Sequence, residues 1–263
     1  MTDSIDSSIR GGVAHLTLNR PDKRNALDLK TIAAFTAELN RCALDPAVRV
    51  VQISGAGSVF CAGADLGEMQ AQAQASEADN LEHAKHLARL LGTLDSLPKP
   101  TVARVNGDGY GGALGLLGAC DIAVALDTAK FAFTEVRLGI MPAVVSPFVL
   151  GKIGESAALR YFLTAETMSA ATLKDIGLIH EVVTAGQLDE SCANITGAIL
   201  KGAPTALAEA KALIRDMADM PARKRGAASI DMAARLARLR VQAEAQEGFA
   251  AFFGKRKATW RLD

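Results

Sequence analysis

Thr101-Val102-Ala103-Arg104-Val105-Asn106-Gly107-Asp108-Gly109-Tyr110-Gly111-Gly112-Ala113-Leu114-Gly115 runs from a β-branched strand through a glycine-rich turn into an apolar stretch of helical character. Working outward, the same succession recurs. Upstream, Val48-Arg49-Val50-Val51-Gln52-Ile53-Ser54 reads as a strand and is followed by the turn at 55–57. A second glycine-bearing turn, Phe60-Cys61-Ala62-Gly63-Ala64-Asp65-Leu66, leads on towards helix. Downstream, Asp121-Ile122-Ala123-Val124-Ala125 and Lys130-Phe131-Ala132-Phe133 read as two more strands. Nearer the start, Val13-Ala14-His15-Leu16-Thr17-Leu18 alternates as a strand, and residues 29–39 place Leu29, Ile32, Ala33, Phe35 and Leu39 at helical spacing. Strand, glycine-rich turn and helix in repetition predict an α/β fold around a buried sheet.

Beyond about residue 155 the strand signals thin to 179–183, and residues 201–253 carry long helical periodicity broken only by Pro204 and Pro221. The expected organisation is a core over 1–200 and a C-terminal helical layer over 201–263, packed together because no low-complexity linker separates them. Hydrophobic residues make up 49% of the 263 and charged residues 22%, enough apolar surface to bury a substantial core. Lys plus Arg and Asp plus Glu balance at 29 each, which argues against nucleic acid or an anionic membrane as a bulk electrostatic partner. Residues 1–12 are polar, with no secretory apolar run, and the apolar stretch 109–125 is too short to span a bilayer. Cys42, Cys61, Cys120 and Cys192 are scattered and four histidines offer no ligand spacing, so no metal site is expected. A reduced, cytoplasmic protein is the expectation.

Two of the turns could carry chemistry. Glycine lets backbone approach a ligand, and a helix starting there aims unpaired N–H groups at an anion. Two such groups converging from separate turns would form an oxyanion hole. The same glycines could equally serve tight strand–helix packing, and neither turn is a dinucleotide or phosphate-loop signature. Glu135 lies among Phe131, Phe133, Val136, Leu138 and Ile140. A carboxylate in such company is costly unless paired or functional: an ion pair with Arg137 and acid–base work with a raised pKa are both open. Asp65 reads as a helix cap and Asp121 as a structural acceptor. His15, His83, His86 and His180 read as structural or surface groups, without the Ser or Cys partner of a triad. Lys255-Arg256-Lys257 reads as a solvated helix end or a phosphate contact.

Taken together these segments resemble the enoyl-CoA hydratase/isomerase (crotonase) family along nearly the whole chain. The likeness is carried by Leu18-Asn19-Arg20-Pro21 with Asn25-Ala26-Leu27, by residues 60–66, 105–122 and 131–142, and by the ending Gly248-Phe249-Ala250-Ala251-Phe252-Phe253-Gly254-Lys255-Arg256-Lys257. The resemblance implies a crotonase-like spiral of stacked ββα units, with C-terminal helices that mediate a homotrimer or a hexamer made of two trimers. It implies an oxyanion hole from the N–H groups of Ala64 and Gly112, and proton transfer by Glu135. It implies coenzyme A contacts from Lys23, Arg24 and Ala62, and from Phe252 and Lys255, often across a subunit boundary. Coenzyme A would enter as part of an acyl-CoA thioester substrate, with no separate cofactor.

One departure stands out. The second glutamate of family hydratases falls at Gly115 by the resemblance, and family members with only the Glu135-type acid include isomerases. The run 135–149 and the later 153–166 look most like hydratases of branched enoyl-CoAs, such as methylglutaconyl-CoA, and geranoyl-type relatives. The reading is therefore water addition to a 2,3-unsaturated acyl-CoA, with Δ3–Δ2 isomerisation as the alternative. An RNA-binding module is a remote third, disfavoured by the charge balance and the lack of an aromatic-interleaved basic stripe. The acyl pocket is expected from residues 69–78 and around Tyr110, Met141 and Val145. A distal carboxylate on the substrate would call for Lys85, Arg89 or Arg137.

Overall fold

Val13, Val50, Val102 and Val124 point to one side of a sheet, and Leu16, Ile53, Ala103 and Ala123 to the other. Both sides are apolar because both are covered, as a largely parallel sheet requires. The computed structural model describes residues 4–218 and 220–262; residues 1–3 of the expected core and Asp263 of the expected helical layer lie outside them. The large sheet contains β1 (Ile5–Arg10), β2 (Val13–Leu18), β3 (Val50–Gly55), β5 (Thr101–Val105), β7 (Ile122–Leu126) and β10 (Glu181–Val183), in the order β1-β2-β3-β5-β7-β10. Only the β1–β2 pair is antiparallel. A second sheet has the order β4 (Val59–Cys61), β6 (Asp108–Tyr110), β8 (Lys130–Ala132) and β9 (Met168–Ser169).

The two sheets are built in step. β3 enters the large sheet and β4 the small one, before α2 (Leu66–Gln72) and α3 (Glu77–Ser96). β5 and β6 repeat this before α4 (Gly112–Ala119), and β7 and β8 before α5 (Ser146–Thr164). Each strand pair advances both sheets by one position, so the ββα units stack as a spiral. After β9 come α6 (Ala170–Asp175) and β10; no described strand follows Val183. α7 (Leu188–Leu200) covers the valine face of the large sheet through Leu188, Cys192, Ile195 and Ile199. α8 (Pro204–Ala218), α9 (Arg225–Arg240) and α10 (Ala243–Phe253) complete the chain.

The opposite face holds the main core. α1 (Leu29–Leu44) buries Ile32, Phe35, Leu39 and Cys42 there, and α3 contributes Leu90, Leu91 and Leu94. α1 starts where the Asp28 side chain accepts the Thr31 N–H at 2.7 Å. α4 has no polar face: residues 113–119 are all buried, so it runs through the centre of the core rather than along its edge. No described helix is long and apolar enough to cross a membrane.

Candidate active site

α4 begins at Gly112 directly after Gly111, whose φ of 51° and ψ of −114° swing the chain from β6 into the helix. The turn after β4 comes alongside: a Cβ on Gly63 would stand 2.6 Å from the Tyr110 carbonyl oxygen and 3.7 Å from the Gly112 nitrogen, and Gly63 has φ +86°. Only glycine allows that approach with that backbone. The Leu27 N–H donates to the Gly63 carbonyl at 2.8 Å and the Asp65 N–H to the Leu27 carbonyl at 3.2 Å, bracketing Ala64. Neither the Ala64 nor the Gly112 N–H donates to a protein acceptor among the described residues. Two free donors thus lie on adjoining turns, one of them at the positive end of a buried helix.

Arg20 and Asn25 hold this arrangement from outside. Arg20 bonds Asp65 at 2.9 Å, Asp28 at 3.1 Å and the Ala26 carbonyl at 2.7 Å, tying the start of α1 to the start of α2. Asn25 is fully buried at φ 57° and donates to the Ala56 and Val59 carbonyls at 2.9 and 2.7 Å. Asp65 caps α2 through the Gly67 N–H at 2.9 Å, as its position in the sequence suggested. Asp121 is likewise structural: it accepts from the Thr101 N–H at 2.8 Å and pairs with Lys211 at 2.7 Å.

Ala64, Gly112 and Glu135 line one cavity of about 740 Å³. Glu135 opens the 3-10 turn Glu135–Leu138, and its Oε1 lies 3.3 Å from where a Cβ on Gly111 would be. Its Oε2 is buried without a hydrogen-bond partner. No ion pair between Glu135 and Arg137 forms among the described residues, and Arg137 is exposed. Burial therefore pushes the Glu135 carboxyl above the ordinary value of 4.5, opposed only by nearby backbone N–H groups.

Most of the rest of the wall is apolar, from Leu27, Ile32, Leu87, Ile140, Met141 and Val145 among others. Met141 and Val145 stand where the sequence placed them, whereas Tyr110 is not part of the wall; its hydroxyl turns to Asp108 at 3.1 Å. Lys85, Arg89 and Arg137 are also absent from it. The space a side chain at Gly115 would need is taken: a Cβ would meet Val145 Cγ1 at 2.7 Å and Leu91 Cδ1 at 2.8 Å.

One polar wall residue escaped the sequence reading. His83, read as a structural or surface histidine, lines the cavity together with Gln72, which falls in the 69–78 segment expected there. Its signal was its place one helical turn before Leu87 on α3, but the segment reads as polar and hides which face turns inward. The other histidines are peripheral to this cavity: His15 meets Gln52 at 3.3 Å, and His180 Nδ1 accepts the Ala123 N–H at 3.1 Å. Cys61 and Cys120 are buried, which pushes each thiol up to about 12 and removes them as nucleophiles at neutral pH.

Among the expected coenzyme A contacts, Lys23 and Arg24 are exposed beside Ala62, whose N–H donates to the Arg24 carbonyl at 3.0 Å. These three adjoin the Ala64 turn. Phe252 and Lys255 do not reach the Glu135 cavity within one chain. Phe252 is 77% exposed on α10, beside Gly248 and Trp260, and Lys255 follows in a left-handed conformation at φ 51°.

The enoyl-CoA hydratase/isomerase family profile matches residues 8–262. The 2,3-dehydroadipyl-CoA hydratase of Escherichia coli is 31% identical over 242 residues, covering 92% of each chain. The crystal structure of an enoyl-CoA hydratase from Shewanella pealeana superposes with a TM-score of 0.91 at 37% identity, over 98% of this chain and 96% of that one. Pseudomonas aeruginosa AtuE gives 0.92 at 32% identity, over 98% and 99%. With donors, carboxyl and spiral in place, the chain belongs to the enoyl-CoA hydratase/isomerase family.

Proposed function

We propose that this enzyme reversibly adds water across the 2,3-double bond of an acyl-CoA thioester, with Ala64, Gly112 and Glu135 as its working groups. The observation that carries the reading is the unpartnered Glu135 Oε2, buried in a cavity shared with two free N–H donors. The thioester oxygen accepts from Ala64 and Gly112, which stabilises it as it takes up the electron pair of the double bond; one such donor is worth about 3 kcal/mol of barrier. Water bonds to the β-carbon. The α-carbon takes the proton that Glu135 holds, and the proton released by the water returns to the same carboxyl, so nothing is gained or lost overall. In this scheme one carboxyl with a raised pKa serves both transfers, Val145 and Leu91 occupying the space a side chain at Gly115 would need.

Coenzyme A is part of the substrate, with Lys23, Arg24 and Ala62 along its nucleotide end and no further cofactor in the scheme. Phe252 and Lys255 close over it from a neighbouring copy in a homotrimer or hexamer. For the acyl group we propose a branched chain of the 3-methylglutaconyl type, on the likeness of residues 135–149 and 153–166 to such hydratases. Glu135→Gln should retain its fold and lose roughly 10²–10⁴-fold in hydration rate; full activity in that variant overturns the assignment. Crotonyl-CoA, 3-methylglutaconyl-CoA and a 3-enoyl-CoA assayed separately decide the reaction. Turnover of the 3-enoyl-CoA without hydration of either 2-enoyl-CoA would make the enzyme an isomerase instead.

A further inference from the structure

A cavity with an otherwise apolar wall carries polar side chains at only two places, Glu135 and the pair Gln72 and His83. The pair is built rather than incidental. Glu68, on α2, accepts the Leu29 N–H with Oε1 at 2.7 Å and meets His83 Nε2 with Oε2 at 2.7 Å. That anchors the imidazole to the start of α1 and keeps a proton on Nε2. The Gln72 amide nitrogen lies 3.0 Å from His83 Nδ1 and 2.7 Å from Nε2, and the Gln72 backbone carbonyl accepts from Asn80 at 3.0 Å. Gln72 Oε1 receives no hydrogen bond from the described residues. The relay from Leu29 to Glu68 to His83 to Gln72 therefore ends, at the cavity, on an amide with unused capacity.

Its location follows from α3. Leu87 Cδ2 would lie 3.7 Å from a Cβ on Gly112, beside the free N–H donors. His83 is one helical turn before Leu87, on the same face. Leu87 thus lies beside the place where Gly112 would hold a thioester oxygen, with the Gln72–His83 pair one helical turn further along α3 in the same cavity. None of the cations Lys85, Arg89 and Arg137 stands on the wall to meet a polar group there.

We propose that Gln72 and His83, oriented by Glu68, form a specificity site that recognises a hydroxyl group on the acyl chain. The proposal rests on the acyl-CoA reading above but not on the reaction performed. An acyl chain ending in methyl would leave the Gln72 amide oxygen facing carbon, whereas a hydroxyl donates to it.

Saturated acyl-CoAs test this without catalysis. Binding of glutaryl-CoA, 5-hydroxypentanoyl-CoA and pentanoyl-CoA to the full-length protein is measured by calorimetry, for the native chain and for Gln72→Leu and His83→Phe. The native protein should bind 5-hydroxypentanoyl-CoA roughly ten- to a hundredfold more tightly than pentanoyl-CoA. Both variants should bring that ratio to near one; if one variant fails to fold, as thermal unfolding would show, the other carries the test. A native protein that binds pentanoyl-CoA as tightly as 5-hydroxypentanoyl-CoA, or glutaryl-CoA more tightly than 5-hydroxypentanoyl-CoA, overturns the proposal. So does an unchanged ratio in the folded variants. Failure to bind any of the three overturns the acyl-CoA reading itself, and this one with it.

Discussion

A carboxyl group held out of water keeps its proton to higher pH than the same group in an unfolded chain, and Glu135 is in that position because its Oε2 has no partner to repay ionisation. The sign of the consequence is fixed. Between the unfolded value near 4.5 and the raised folded value, the native state binds more protons than the unfolded one, so stability falls as pH rises through that window. Glutamine carries no such charge. Glu135→Gln should therefore gain stability relative to the native protein as pH rises from 4 to 8, in urea unfolding series across that range. A constant difference between the two would mean that Glu135 titrates as it does in the unfolded chain. The same carboxyl shows what could be read beforehand at this scale. Its apolar neighbours were visible in the sequence, and so was the possible ion pair with Arg137; the choice between them required the turn at 135–138, which carries Arg137 outward. His83 was invisible for the converse reason, since its neighbours in sequence are polar and give no sign that it lines a largely apolar cavity.

At the scale of elements, strands with a clear period of two were legible: 13–18 matches β2, 101–105 matches β5, and 121–125 differs from β7 by one residue at each end. The small sheet was legible only at 130–133, which contains β8. β4 and β6 have three residues each and β9 has two, too short for alternation to register, and β6 lies inside a stretch that reads as a glycine turn. β1 was missed as well, being a polar edge strand, Ile5-Asp6-Ser7-Ser8-Ile9-Arg10, whose pairing with β2 supplies what its composition does not. Those short strands matter because they set the distance between the two turns. β4 pairs with β6, and the chain leaves each towards Ala64 and Gly112 respectively. Gly63→Ala tests the coupling. Its methyl group meets the Tyr110 carbonyl at 2.6 Å and its φ of +86° costs about 1–2 kcal/mol for any residue with a Cβ. The two turns must separate to accommodate it, so the expected result is a lower unfolding midpoint together with a fall in kcat of at least roughly tenfold, as one donor leaves the thioester oxygen. A variant destabilised to that extent with native kcat would show that donor spacing is not critical.

For the whole molecule the surface needs explaining. Phe252 and Phe253 are each 77% exposed, Ile230 75% and Leu163 70%, large apolar side chains on the helices that follow the spiral and on α5. Single exposed residues of this kind are ordinary, but adjoining phenylalanines with their rings 5.6 Å apart on one exposed helix are the composition of an interface rather than of a solvated face. The same helix carries Phe252, which cannot reach the cavity of its own chain and would meet coenzyme A only from a neighbour. Assembly and substrate binding would then be linked, because a ligand that contacts two subunits binds the assembled state more tightly than the separated one. Light scattering at micromolar concentration should give three or six times the chain mass of 27.5 kDa. Phe253→Asp, which places a charge beside that ring pair, should shift the mass towards the single chain and raise KM more than it lowers kcat, with saturating acyl-CoA restoring part of the larger species. A native protein that runs as a monomer, or a dissociated variant with native KM, would confine the whole site to one chain and leave the exposed phenylalanines without this role.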